Sequence, residues 1–248
     1  MDSLLRVIHD HAHDGPTNMA RDEALLTLVG TGRSVPTLRT YLWSPPTISL
    51  GYFQEYADYE RLKPPAGALP VVRRQTGGGA ILHDRELTYS LTLPLNHPLL
   101  AAGPNTLYQI AHDALMTCLS ERGIETRFSA ATDGSGPAKG PFFCFARRHR
   151  FDVLLGGDKV AGSAQRRTGQ AVLQHGSIIC DVRYAQQPAA HLSPTADVQP
   201  EDLRAPFAAA LARRAGFCAA PSSWTAAELS LAADLIAKYA DPAWTRRA

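Results

Sequence analysis

Apolar positions along the chain follow two different periods, and the alternation between them outlines the elements. Met19 to Leu26 follow a Gly15-Pro16 turn and read as a helix with Asn18 as N-cap, acids in its first turns and an end near Gly30. Short β-like runs come next, at 37–43, 47–50 and 71–74, punctuated by Pro45-Pro46 and Pro64-Pro65. Residues 87–93 alternate Leu, Tyr, Leu and Leu with Thr, Ser and Thr, the period of a half-buried strand. A second helix fits 106–122, with Leu107, Ile110, Ala111, Ala114, Leu115 and Leu119 on one face and Gly123 as its stop. Residues 132–141, holding Gly134, Gly136, Pro137, Gly140 and Pro141, are a loop. Residues 151–155 and 159–164 form a hairpin around Gly156-Gly157, 172–182 a further strand, and 201–215 and 225–240 two closing helices. Strands and helices mix without the regular βαβ alternation of a doubly wound fold, which points to the α+β class.

Composition narrows the field. At 248 residues, 45% apolar and 19% charged, the chain can bury a full core without disulfides, as one large domain or two small ones. No apolar stretch approaches the roughly 20 residues of a membrane-spanning helix, so no membrane partner is expected. The segment 1–13 carries two Asp and three His, where a signal peptide would place an apolar core. Four cysteines without CxxC spacing argue against a disulfide framework and a zinc site, and for a reducing, cytoplasmic setting. A net charge of +2 and a pI near 8.4 are too close to neutral for a nucleic-acid binder. Basic residues do cluster, at Arg73-Arg74, 147–150 and Arg166-Arg167, either as solvated charge or as an anion-binding face.

The most informative segment is 71–94. Three consecutive glycines, Gly77-Gly78-Gly79, cost backbone entropy and contribute no packing, so they belong where a ligand or another backbone comes into contact. A phosphate loop of the Walker type is excluded because Ala80-Ile81-Leu82 follows, and the spacing is not that of a dinucleotide fingerprint. Arg73-Arg74 before the turn and His83-Asp84 after it bring charge and donors to a bare backbone.

With RRQTGGGAILHD in view, the chain resembles the lipoate-protein ligase A and octanoyltransferase family, a branch of the fold shared with biotin protein ligases. The family's signature there is RRxxGGGxVxHD. GPTNMARDEALL is similar to the family's N-terminal helix and PTLRTYLWSPPTISLGYFQ to its following strands. GGDKVAGSAQRR is similar to the GRKxxGSAQxR element, LQHGSI to the segment after it, and IAKYADPAWTRR to the end of the catalytic domain. These blocks span nearly the whole chain. The resemblance implies one catalytic domain over residues 1–248, a mixed central β-sheet flanked by helices. Asp158 stands where the family usually has Arg, which bears on the electrostatic setting of the lysine beside it.

That lysine, Lys159, sits at a hairpin edge, where lysine ordinarily solubilises. The small residues Gly162, Ser163 and Ala164 leave room for an acyl chain against the strand. By resemblance, Lys159 matches the lysine that all branches of the family need, and its task is to donate hydrogen bonds to an acyl carbonyl as negative charge develops. Cys118, Cys180 and Cys218 read as buried, inert positions. Cys144 differs: it lies among Phe142, Phe143 and Phe145, with Arg147, Arg148, His149 and Arg150 just beyond. Cations favour the thiolate of a free thiol, ordinarily near ~8.5, and phenylalanines suit an octanoyl chain; a loop cysteine packed among aromatics is the alternative. In LipM-type octanoyltransferases a nucleophilic cysteine stands in a CF segment upstream of the lysine, and Cys144-Phe145 matches it. Ligases of the family usually lack that thiol and carry an additional C-terminal domain, for which the chain after Val182 is too short.

The resemblance therefore implies an octanoyltransferase. Cys144 takes octanoyl from acyl carrier protein, Lys159 stabilises the oxyanion, and Arg74 with Gly77, Gly78 and Gly79 frames an acyl tunnel. A lysine of a lipoyl domain or of glycine-cleavage H protein receives the group, with no metal or cofactor. The alternatives are an ATP- and magnesium-dependent lipoate-protein ligase using the same pocket, and a non-catalytic acyl- or protein-binding module. His83 either hydrogen-bonds an acyl carboxyl or carrier phosphate or caps its strand; His175 positions substrate or supports a group that does. Asp152 is expected to pair with the arginines of 147–150, and that cluster to dock acidic carrier protein by salt-sensitive steering. His9, His11 and His13 share a strand face that mimics a zinc site, but no partner completes a tetrahedral shell, so an exposed strand is expected.

Overall fold

The computed structural model describes residues 3–130 and 140–247. Most of the 132–141 loop, including Gly134, Gly136 and Pro137, lies outside the described residues. In chain order come β1 (Ser3–His13), α1 (Gly15–Gly30), β2 (Thr37–Trp43), β3 (Thr47–Leu50), α2 (Tyr56–Glu60), β4 (Val71–Arg73), β5 (Ile81–His83) and β6 (Glu86–Pro94). They are followed by α3 (Thr106–Ser120), β7 (Arg127–Phe128), β8 (Val153–Leu155), β9 (Asp158–Arg167), β10 (Ala171–Ile179), α4 (Pro200–Ala215), β11 (Phe217–Pro221), α5 (Ala226–Ala240) and α6 (Pro242–Arg246).

Eight strands form one sheet in the order β11-β1-β2-β6-β10-β9-β8-β7, and β4-β3-β5 form a second, small sheet. The first three strands of the large sheet run parallel and the rest pair antiparallel, so the sheet is mixed, as expected. Helices α3 and α4 cover one face around Leu107, Leu115, Leu203 and Phe207. Helix α1 covers the other and carries α5 on its back.

Helix α1 begins a turn earlier than Asn18 predicts. Asp14 is its N-cap, accepting from Thr17 N at 2.9 Å, and Pro16 suits the first turn because its missing N–H is one the helix leaves unpaired anyway. Asn18 is instead buried, its Nδ2 donating to the carbonyls of His13 and Leu42 at 3.0 Å. Strand β6 is also not half-solvated: its Thr and Ser positions are buried like its Leu positions, because α1 lies across the face they occupy. The strand at 1–13 is likewise an interior one, flanked by β11 and β2, although His9 and His11 remain exposed. Cys218 corrects another expectation, since it is exposed on β11, whereas Cys118 and Cys180 are buried. Among the described residues no His/Cys/Asp/Glu group could hold a metal ion, and no helix is long and apolar enough to cross a membrane.

Candidate acyl-transfer site

The floor of the site is built by Arg74 and the glycine turn. Arg74 is buried, and its guanidinium donates to the carbonyls of Gly77 and Gly79 at 2.7 Å each. It also reaches the Ser49 carbonyl at 2.9 Å and Thr76 Oγ1 at 3.1 Å. The arginine thus holds the turn from behind. Gly78 has φ +93°, a conformation that a Cβ would strain. A Cβ on Gly79 would stand 2.8 Å from Cys144 N, and one on Gly51 2.0 Å from the Gly78 carbonyl oxygen. Main chain therefore touches main chain on both sides of the turn, the close approach that the triple glycine announced. Gly77 has open space, its Cβ position meeting only Phe53 at 3.9 Å.

The same backbone seats the thiol. Ala80 N donates to the Phe142 carbonyl and Cys144 N to the Ala80 carbonyl, both at 2.8 Å, which ties the Cys144–Ala146 turn to the end of the glycine segment. Across from it, β9 brings Lys159 inward. Its Nζ lies 3.6 Å from Cys144 Sγ, 3.5 Å from the Cys144 carbonyl and 3.0 Å from Asp152 Oδ2. Asp152, expected to pair with the arginines of 147–150, is a buried partner of Lys159 and also accepts from His149 N at 2.7 Å. Burial works against the ammonium of Lys159, but the Cys144 sulfur and Asp152 outweigh it and raise the pKa, so the lysine is cationic at neutral pH. Gly162 makes room for this arrangement, because a Cβ there would lie 2.4 Å from Lys159 Cε. Asp158 points away, exposed and paired with Arg148 at 3.0 Å. Of the three phenylalanines, Phe145 lines the cavity, while Phe143 belongs to the core of the small sheet with Ile48, Leu50 and Leu82.

Behind the thiol is a narrow cavity lined by Met19, Tyr41, Trp43 and Ile81 as well as by Gly162, Ser163, Ala164 and His175. His83 stacks on Trp43 with ring centres 3.8 Å apart and engages Ser49 Oγ at 2.7 Å and Glu86 at 2.6 Å; burial lowers its pKa, keeping it neutral. His175 bridges Thr76 Oγ1 at 2.7 Å and Asp22 at 3.0 Å. Both imidazoles thus spend their two nitrogens on protein groups and offer the cavity ring surface. Outside lies an open trough lined by Gly77, Gly78, Gly79, Tyr108 and Arg147. Gly78, Cys144, Lys159, Ser163 and Ala164 line both spaces. The sulfur and the ammonium therefore stand where an apolar slot meets an open mouth. Sequence reading missed Asp152's partner, the inner wall of Tyr41 and Trp43, which alternation in β2 places on one face, and His112, whose Nε2 lies 2.8 Å from Ser163 Oγ.

The lipoyl protein ligase A/B catalytic domain model matches residues 14–208, and the chain belongs to that family. The octanoyltransferase LipM of Moorella thermoacetica is 42% identical over 177 residues, a match covering 70% of this chain and 64% of that protein's length. The LipM of Kyrpidia tusciae is 33% identical over 98% of both chains. Among solved structures, a lipoate-protein ligase A bound with ATP superposes with a TM-score of 0.80 at 21% identity, covering 99% of each chain. The bi-partite lipoate protein ligase of Thermoplasma acidophilum, studied with its E2 lipoyl domain, gives 0.73 at 20% identity, covering 99% of this chain and 96% of that one.

Proposed function

We propose that residues 1–248 act as a single catalytic domain, an octanoyltransferase of lipoate assembly in the reducing cytoplasm, working through a Cys144 thioester. The observation that carries this reading is the 3.6 Å separation of Cys144 Sγ and Lys159 Nζ at the junction of slot and trough; the LipM relatives support it. The octanoyl tail enters the slot while its carrier protein remains over the trough. The Cys144 thiolate attacks the thioester carbonyl, and the ammonium of Lys159 donates to the oxygen as it gains charge. The carbon–sulfur bond to the carrier breaks, and the carrier leaves with its thiol. The amine of a lysine on a lipoyl domain or glycine-cleavage H protein then attacks the Cys144 thioester, forming an amide and freeing the cysteine. Thioester exchange of this kind needs no metal or nucleotide.

Incubation with octanoyl acyl carrier protein and no ATP, followed by intact mass measurement, is expected to show one octanoyl adduct that Cys144→Ala abolishes. An unmodified wild-type protein would reject the relay. Modification of apo-lipoyl domain by free lipoate that needs ATP and survives Cys144→Ala would establish a ligase instead.

A further inference from the structure

His112 lies in the middle of α3 and is buried, yet it takes part in none of the steps above. Its Nδ1 donates to the carbonyl of Phe151, the residue before Asp152. In a neutral ring that leaves Nε2 as a lone pair, able only to accept. Burial holds the ring neutral, pulling its pKa down to about 4. Ser163 Oγ stands 2.8 Å from that nitrogen, so the one hydroxyl hydrogen of Ser163 is committed to His112. Ser163 lines the open trough together with Cys144 and Lys159, and its oxygen, which also bonds the buried Tyr89, has no hydrogen left to offer there and can only accept. Lys159, on the same strand, brings only hydrogens. The two side chains are therefore unlike: Lys159 donates and Ser163 accepts.

The two half-reactions use these side chains differently. When Cys144 is loaded, charge develops on a carbonyl oxygen, which needs donors, and Ser163 has none to give. When an amine attacks the thioester, its nitrogen becomes cationic and its N–H needs an acceptor. We propose that His112 is a positioning residue for the second half-reaction: by holding the Ser163 hydrogen, it makes Ser163 the acceptor for the attacking amine. In that step the nitrogen–carbon bond forms, the carbon–sulfur bond breaks, and the proton lost by nitrogen ends on the Cys144 sulfur. Ser163 keeps its own proton throughout. This inference rests on the Cys144 relay.

The test separates the two steps. Octanoyl pantetheine serves as donor and apo-lipoyl domain as acceptor; mass spectrometry follows acyl-Cys144 appearing and the octanoyl amide forming. In His112→Phe and in Ser163→Ala the ratio of transfer rate to loading rate is expected to fall about tenfold, the size of one lost hydrogen bond. His112→Gln, whose side-chain oxygen can still accept from Ser163, is expected to recover most of that ratio. Ser163→Ala leaves the His112–Phe151 bond in place, so the result does not depend on whether His112→Phe folds. An unchanged ratio in Ser163→Ala overturns the role of His112 and leaves the relay standing. A wild-type protein whose cysteine never loads overturns both.

Discussion

Two arginines are sealed into the interior within a few residues of the same pocket, and their surroundings answer them in opposite ways. Arg39 meets carboxylates: Asp10 at 2.9 Å and Asp22 at 2.8 Å, with the Tyr41 ring beneath its guanidinium at 3.8 Å. Burial opposes its charge, and the two carboxylates outweigh burial and raise its pKa. Arg74 meets carbonyl and hydroxyl oxygens, and burial pulls its guanidinium down to about 10, still cationic at neutral pH. One cation is neutralised by full charges and the other only by dipoles. The first ties β1, α1 and β2 together. The second leaves a net positive field at the turn beside Cys144, where the proposed transfer would develop negative charge.

Removing each cation separates the two roles. The largest expected effect is on stability: Arg39→Met leaves Asp10 and Asp22 buried without it, at a cost of about 3–5 kcal/mol, read by urea unfolding at pH 7. Next comes rate, since Lys159→Met keeps the length of the side chain but removes the donor, and octanoyl transfer is expected to fall roughly 100- to 1000-fold. Arg74→Met orphans no carboxylate. It is expected to slow Cys144 acylation about tenfold, with less loss of stability than Arg39→Met.

Acid sharpens the contrast. Arg39 and Arg21 outweigh burial and hold Asp10 well below the ordinary carboxylate range, and His175 and Arg39 lower Asp22 against the opposing effect of burial. Carboxylates shifted this way stabilise the fold fully above about pH 4 and lose that contribution as pH falls through their folded values. Arg39→Met is therefore expected to move the acid-unfolding midpoint upward, while Arg74→Met leaves it in place; circular dichroism against pH reads both. The smallest effect belongs to Asp158→Arg, which restores the usual family residue at a side chain 79% exposed. A change below about 0.5 kcal/mol and an unaltered transfer rate are expected.

What could be read from the chain alone divides along similar lines. The glycine turn, Cys144 and Lys159 are local words, each carried by a few adjacent residues, and the structure brings all three to one place. The hairpin at Gly156-Gly157 was also legible, since two glycines at positive φ close such turns. The partners were not. Asp152 reaches Lys159 across a hairpin whose register slips between Val153 and Leu154, a shift that periodicity does not announce. His112 sits in helix α3, 51 residues before the serine it engages, and nothing in a helical pattern distinguishes it from any core position. Arg39 looks like a polar step in an alternating strand until Asp10 and Asp22 are folded against it.

The contact between Gly51 and Gly78 limits what can be redesigned. Where two backbones already abut, no side chain remains to be shaved, so the floor there cannot be lowered. Any effort to admit a longer or branched cargo must instead carve the wall at Tyr41 and Trp43, where there are rings to cut back.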